Sequence, residues 1–251
     1  QDSVRVVQQA TTRVQGVAHP RAVTDACPRY GMRSINVDLI YGLPGQTLQG
    51  FGTTLDTVVA ARPDRLAIYG YAHLPQMFKA QRQIDEDALP SPEDKLALLG
   101  LAVDRLAQAG YVYIGMDHFA LPDDDLALAQ RNGSLHRNFM GYTTHADTDL
   151  IGLGVSAISH VGDSSTQNQR DLPGWEAMVD AGKLPIWRGL MLGNDDVLRA
   201  DVIQQLMCQG EIDVVQIERS YGIAFHDYFS EAMNALRPLQ QAGLVACPPG
   251  C

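Results

Sequence analysis

The sequence predicts an α/β chain: the second half of a parallel (β/α) barrel over residues 1–122, then a mostly helical C-terminal domain over 123–251. Short apolar strands alternate with amphipathic helices from Arg33 to Met116, the pattern of βαβ units with right-handed crossovers. About three such strands are legible before the character changes near Asp123, far short of the roughly eight of a closed barrel. From Asp195 the segments VLRADVIQQLMC and FHDYFSEAMNALRPLQQAGLV turn helical in pattern.

Residues 3–15 read as a helix with Val4, Val7, Thr11 and Val14 on one face, and residues 22–30 as a short helix before Gly31. The stretch RSINVDLIYGLPGQT, Arg33–Thr47, then reads as one strand running into a Gly/Pro turn. Alternation puts Ile35, Val37, Leu39 and Tyr41 on one face and Asn36, Asp38 and Ile40 on the other. A strand packed on helices is apolar toward them, so Asn36 and Asp38 face the barrel lumen and Asp38 points at a ligand. Next, Gln49–Ala61 carries Phe51, Leu55, Val58 and Val59 at helical spacing and stops before Pro63. A second strand, Arg65–Tyr71, ends in Ala72-His73-Leu74-Pro75. Ser91-Pro92-Glu93-Asp94 is a helix start with a serine cap, proline at the first position and acids in the first turn. That helix runs through Leu96, Leu99, Val103 and Leu106 to a left-handed cap at Gly110. A third strand, Tyr111–Met116, ends in Asp117-His118-Phe119. Residues 123–170 read as polar, aromatic and glycine-rich loops with modest helical content. The closing helix with its AGLV tail resembles a winged-helix ending, read in so acidic a chain as a packing domain.

Composition narrows the function. Nineteen basic against 29 acidic residues give a net charge of −10, which argues against a phosphate-backbone binder and predicts no nucleic-acid partner. No apolar run approaches the roughly 20 residues of a membrane span. The first fifteen residues lack the apolar run of a signal peptide, so a cytoplasmic location is expected. Cys27, Cys208, Cys247 and Cys251 are dispersed, as reduced thiols of a cytosolic protein would be, and no metal site is expected from them.

Asp38, His73, Asp117 and His118 fall near strand ends, but without the H-x-H or paired-carboxylate strand of a metallohydrolase barrel. Gly152-Leu153-Gly154 lacks the third glycine of a dinucleotide fingerprint and reads as a tight turn. LHRNFMGYTT places Arg137 beside Phe139 and Tyr142, and two readings stand: a site for a flat carboxylated ligand, or a loop pinned on the core by Phe139 with a solvated Arg137.

At NVDLIYGLPGQT, YAHLP, GMDHFALPDDDLA, LHRNFMGYTT and GVSAISHVGD the chain closely resembles the oxygen-independent coproporphyrinogen III oxidases, radical S-adenosylmethionine (SAM) enzymes of haem biosynthesis, in order from Gln1 to about Val245. The resemblance implies a partial, six-stranded (β/α) radical SAM barrel with a mostly helical C-terminal domain. It implies oxidative decarboxylation of two propionates of coproporphyrinogen III, giving protoporphyrinogen IX. In that family a [4Fe–4S] cluster reduces SAM to a 5′-deoxyadenosyl radical that abstracts hydrogen from the propionate β-carbon. Gln1, Arg13, Asp38 and Ala72 match positions lining a second SAM, and Ile158 matches a contact to the first, cluster-bound molecule. Arg137 and Arg188 are the candidates for gripping the tetrapyrrole, and no residue is assigned as catalytic. The implied partners are coproporphyrinogen III and an electron donor for the cluster, and the expected state is a monomer.

Two features depart from the family. Its C-x-x-x-C-x-x-C cluster motif is absent, so the chain reads as the C-terminal part of the enzyme, inactive by itself. Met140 stands where glutamine is expected in the HRNF-x-GYTT motif, replacing an amide by a weakly accepting thioether. The alternatives are a haem chaperone of the same superfamily, without oxidase activity, and a non-catalytic fragment.

Overall fold

The computed structural model describes residues 18–146 and 148–246, in two compact units divided between Asn132 and Gly133. The helix expected over residues 3–15, with Gln1 and Arg13, and the two last cysteines lie outside the described residues.

In the first unit, α1 (Ala18–Ala26) passes through a 3₁₀ turn to Gly31, and β1 (Asn36–Tyr41), α2 (Leu48–Ala61), β2 (Arg65–Gly70) and α3 (Pro92–Gln108) follow. Then come β3 (Val112–Gly115), β4 (His118–Ala120) and α4 (Asp125–Arg131). The sheet order is β1-β2-β4-β3, with β1 and β2 parallel and both other pairings antiparallel. The single third parallel strand expected over Tyr111–Met116 is therefore a hairpin. The chain reverses at Gly115 and Met116 (φ 151 and 49), and β4 takes the place beside β2.

Sequence chemistry accounts for the helices. Thr47 caps α2 by accepting from the Gly50 N–H (3.1 Å), and Ser91 caps α3 by accepting from Asp94 N–H (3.1 Å). Gly110, at φ 88, ends α3 by letting the chain turn back so that Tyr111 N–H reaches the Leu106 carbonyl at 3.0 Å. The core packs Phe51 and Leu55 of α2 and Leu98, Ala102 and Leu106 of α3 against Leu66 and Ile68 of β2 and Phe119 of β4. Each large side chain so buried contributes about 1.5–3 kcal/mol. The buried stripe of α3 differs from the expected one: Leu96 and Val103 are exposed, and Leu98 and Ala102 take their place. An alanine- and leucine-rich helix offers several i, i+4 stripes, and only the partner sheet selects one.

The division falls after α4, whereas the change of sequence character lies at 122/123. Asp124 ties α4 to the first sheet: its side chain is 5% exposed, accepts from Leu126 N–H (2.8 Å) and is gripped by Arg65 Nε of β2 at 2.9 and 3.0 Å.

The second unit holds a hairpin of β5 (His136–Asn138) and β6 (Gly141–Thr143) and an antiparallel sheet of β7 (Ile158–Val161), β8 (Ser164–Asn168) and β9 (Ile186–Met191). These strands lie largely where the sequence suggested loops, because short polar strands such as SSTQN carry no apolar alternation. Helices α5 (Leu172–Asp180), α6 (Asn194–Gln209), α7 (Val214–Tyr221), α8 (Phe225–Tyr228) and α9 (Ser230–Gln241) complete it. Leu198 and Val202 of α6, Ile217 of α7 and Phe225 of α8 close a second core with Phe229. Among the described residues no helix is long and apolar enough to cross a membrane.

Candidate functional site

In the first unit the candidate surface is the sheet face turned away from α2 and α3. Val37, Leu39 and Tyr41 pack on the core, while Asn36, Asp38 and Ile40 are exposed, the split that alternation requires. Asp38 sits in the middle of β1 and not at its end. Register places Asp38 opposite Ala67, and Ala67 opposite His118, so a carboxylate and an imidazole flank a methyl group on one face. Tyr69 stands one step along, opposite Ile40, with its ring edge-on to His118 at 6.1 Å. Burial, then the negative charges of Asp38 and Asp117, raise the Tyr69 hydroxyl above its ordinary value, which keeps it a neutral donor. Asn36 Nδ2 donates to Asp38 Oδ1 at 2.6 Å and fixes that carboxylate, whose other oxygen is available to a ligand's hydroxyl or ammonium.

Two glutamines shape the loops beyond these strands. Gln46 Oε1 accepts from the Gly42 N–H (2.6 Å) and Gln46 Nε2 donates to the Ile40 carbonyl (3.2 Å), locking the GLPGQT turn back onto β1. Gln81 Nε2 donates to the Ala72 carbonyl (3.1 Å) and Gln81 Oε1 accepts from Leu74 N–H (2.5 Å), so the exposed loop carrying Ala72 is held by a side chain from the following 3₁₀ turn. His73 is occupied by Tyr71 Oη and Glu86 Oε1, each at 3.2 Å. Asp117 lies in the β3–β4 turn and His118 opens β4, so neither ends a parallel strand.

In the second unit the LHRNFMGYTT motif is the β5–β6 hairpin, with Phe139 and Met140 at its tip, 67% and 78% exposed. Phe139 therefore does not pin the loop. The anchors are Tyr142, whose hydroxyl donates to the Met207 carbonyl (2.8 Å), and Gln204, whose Nε2 donates to the Arg137 carbonyl (2.5 Å). Arg137 is half-buried with its guanidinium 5.8 Å from the Tyr142 ring, and its buried Nε has no hydrogen-bond partner among the described residues.

Ile158 opens β7, opposite Gln167 of β8, which in turn lies opposite Arg188 of β9. Gly152 is required where it is: a Cβ there would lie 2.4 Å from the Ile158 carbonyl oxygen. The tight turn expected at Gly152–Gly154 lies later, at Gly154–Ala157, and the close approach of Gly152 to the Ile158 backbone sets the position of Ile158. Asn168, the buried polar residue of this region, donates from Nδ2 to the Gly154 carbonyl (2.9 Å) and holds the same turn. Sequence reasoning passed over Gln46, Tyr69, Gln81, Gln167 and Trp187. Only Gln46, following Pro-Gly, had a local signal.

The described residues do not fit a four-iron cluster. No group of three or more His, Cys, Asp or Glu among them could hold a metal ion. Cys208 is buried, and desolvation pushes its thiol up against a smaller lowering influence of Arg137, the opposite of a thiolate ligand.

No protein-family model matches the chain. The chain is 50% identical over 245 residues to the oxygen-independent coproporphyrinogen III oxidase of Pseudomonas aeruginosa, covering 98% of this chain and 53% of that protein. It is 42% identical to the enzyme of the same name from Thermostichus vulcanus, over 98% of this chain and 76% of that protein. The solved structure of the Escherichia coli coproporphyrinogen III oxidase, described as a radical SAM enzyme, matches with a TM-score of 0.93 at 48% identity, covering 96% of this chain and 56% of that one. The expected fold class stands: these two units have the fold of the matching part of a radical SAM enzyme. The chain spans about half the length of most curated relatives it matches.

Proposed function

Because this chain belongs to the oxygen-independent coproporphyrinogen III oxidases, we propose that it serves the oxidative decarboxylation of coproporphyrinogen III to protoporphyrinogen IX, as a porphyrin-biosynthetic oxidoreductase of the radical SAM type. The observation that carries this reading is the likeness to named oxidases over 98% of the chain, which includes both candidate surfaces.

Within that reaction the residues of this chain bind and orient. Asp38, held by Asn36 and facing outward from β1, accepts hydrogen bonds from a second SAM, with Ala72 lining the same ligand from the loop that Gln81 holds. Ile158 offers an apolar wall to the first SAM. Arg137 and Arg188 take propionate carboxylates of the tetrapyrrole. Gln1 and Arg13, beyond the described residues, complete the second SAM site, with Arg13 pairing with its methionyl carboxylate. A [4Fe–4S] cluster would supply the electron that cleaves SAM, and the described residues provide no ligand set for it. An electron donor, a monomeric state and a cytoplasmic location belong to the same reading.

Binding of SAM tests the assignments. In the protein expressed from its full open reading frame, equilibrium dialysis should find two molecules bound, with Asp38→Asn and Arg13→Ala each weakening one of them. Unchanged binding in both variants would remove the second-site assignment.

A further inference from the structure

The register of the second sheet sets Ile158, Gln167 and Arg188 in one row across three strands, so their side chains rise from the same face. With strands ~4.8 Å apart, Arg188 starts about 10 Å from Ile158 along that row. We propose that Gln167 is a positioning residue, orienting the Arg188 guanidinium so that its two Nη groups meet a carboxylate of a tetrapyrrole lying over the Ile158 face. The proposal rests on the substrate reading above and adds how the arginine is aimed.

The geometry leaves Gln167 one orientation. Its Nε2 donates to the Ser156 carbonyl at 3.2 Å, which turns Oε1 toward β9, where Arg188 Nε donates to it at 3.0 Å. The reverse amide orientation would set two donors against each other, since arginine has no acceptor. From a second side the Trp187 ring lies 4.7 Å from the guanidinium carbon. Nε is thus committed, and among the described residues neither Nη group makes a hydrogen bond or ion pair. The Nη edge is the one that grips a carboxylate with two parallel bonds.

What holds the arginine matters as much as where it is held. In a chain of net charge −10, Arg188 is fixed by a neutral amide and an indole, not by an acid, so its charge stays available. Arg170 lies 5.5 Å from the same indole and, with Gln169, Asp171 and Trp187, lines a depression of about 380 Å³. A glutamate at position 167 would still accept from the guanidinium, but it would neutralise it and would lose the donor that meets the Ser156 carbonyl.

The test uses the protein expressed from its full open reading frame and two probes, coproporphyrin III and its tetramethyl ester, titrated by absorbance. Gln167→Leu should weaken binding of the free acid roughly 10-fold, the scale of a lost hydrogen bond to a charged group, and leave binding of the ester and of SAM unchanged. Gln167→Glu, which keeps the side chain's size and its acceptor toward Arg188, should weaken the free acid similarly by neutralising Arg188. Arg188→Ala should weaken it at least as much, and adding Gln167→Leu to Arg188→Ala should cost nothing further, since Gln167 acts through the arginine. Additive losses, or equal losses for acid and ester, would overturn the positioning role while leaving Arg188 as a substrate residue. Unchanged binding of the free acid by Arg188→Ala would overturn the substrate assignment of Arg188 itself, and the positioning role with it.

Discussion

Gly152→Ala tests whether the close approach of Gly152 to the β7 backbone sets the position of Ile158. Gly152 is not among the positive-φ glycines, so alanine is acceptable to the backbone and the penalty is purely steric. The added Cβ would lie 2.4 Å from the Ile158 carbonyl oxygen, 2.9 Å from its carbon and 3.0 Å from the Ala157 Cβ, against 3.4 Å for ordinary contact. Relief therefore takes about 1 Å of backbone movement. The segment has little freedom to give it, because Leu150 and His160 exchange two backbone hydrogen bonds of 2.8 Å just beyond the clash, and Gly152 N–H is tied to Ser159 Oγ at 3.0 Å. Overpacking of this kind costs about 1–3 kcal/mol. If Ile158 lines SAM, a displacement near 1 Å should also lower turnover on the order of 100-fold. Thermal denaturation and single-turnover SAM cleavage, measured on the same variant, read both effects. Leu153→Ala, at an 89% exposed neighbouring position, is the control and should change stability by less than about 0.5 kcal/mol. A Gly152→Ala protein that melts and turns over like the parent would refute the steric argument.

Further outcomes follow from the two units. Ser91→Ala removes the acceptor of the Asp94 N–H at the start of α3 and should destabilise the first unit by about 1 kcal/mol in urea denaturation, while Ser91→Asp should retain most of that cap. Burial raises the Cys208 thiol above its ordinary value of 9.0. The unfolded thiol therefore ionises first, so this contribution to stability is full below about pH 9 and is lost as pH rises through the higher folded value. Cys208→Ser should flatten the alkaline end of a stability–pH profile. Mass-mapped alkylation at pH 8 should spare Cys208 until the protein unfolds.

Much of the first unit was legible because local signals and tertiary packing agree there. The strand of alternating Asn36–Tyr41, the serine–proline start of α3 and Gly110 at its end each state their geometry within a few residues. The β3–β4 hairpin was not legible: nothing in GYVYIGMDHF separates one six-residue strand from two shorter ones, and the choice depends on which strand β2 accepts as a neighbour. The β7–β8 hairpin was hidden for a related reason, since ISHV and SSTQN carry no periodic apolar signal. Of the candidate site, Asp38 could be inferred from alternation alone, whereas Ile158 came only through family likeness. The row joining Ile158 to Gln167 and Arg188 needed the strand register. In GMDHFALPDDDLA, Asp124 caps a helix and pairs with Arg65, so the acid-rich motif there serves the fold.

The central claim is that this chain serves the decarboxylating oxidase reaction, and an anaerobic assay of the protein expressed from its full open reading frame tests it most directly. After cluster reconstitution, with SAM and a reductant, coproporphyrinogen III should be converted to protoporphyrinogen IX with release of two molecules of carbon dioxide, as loss of two propionate carboxyls requires. That result would also show that Met140 supports turnover. No product from a protein with an intact cluster and bound SAM would contradict the account.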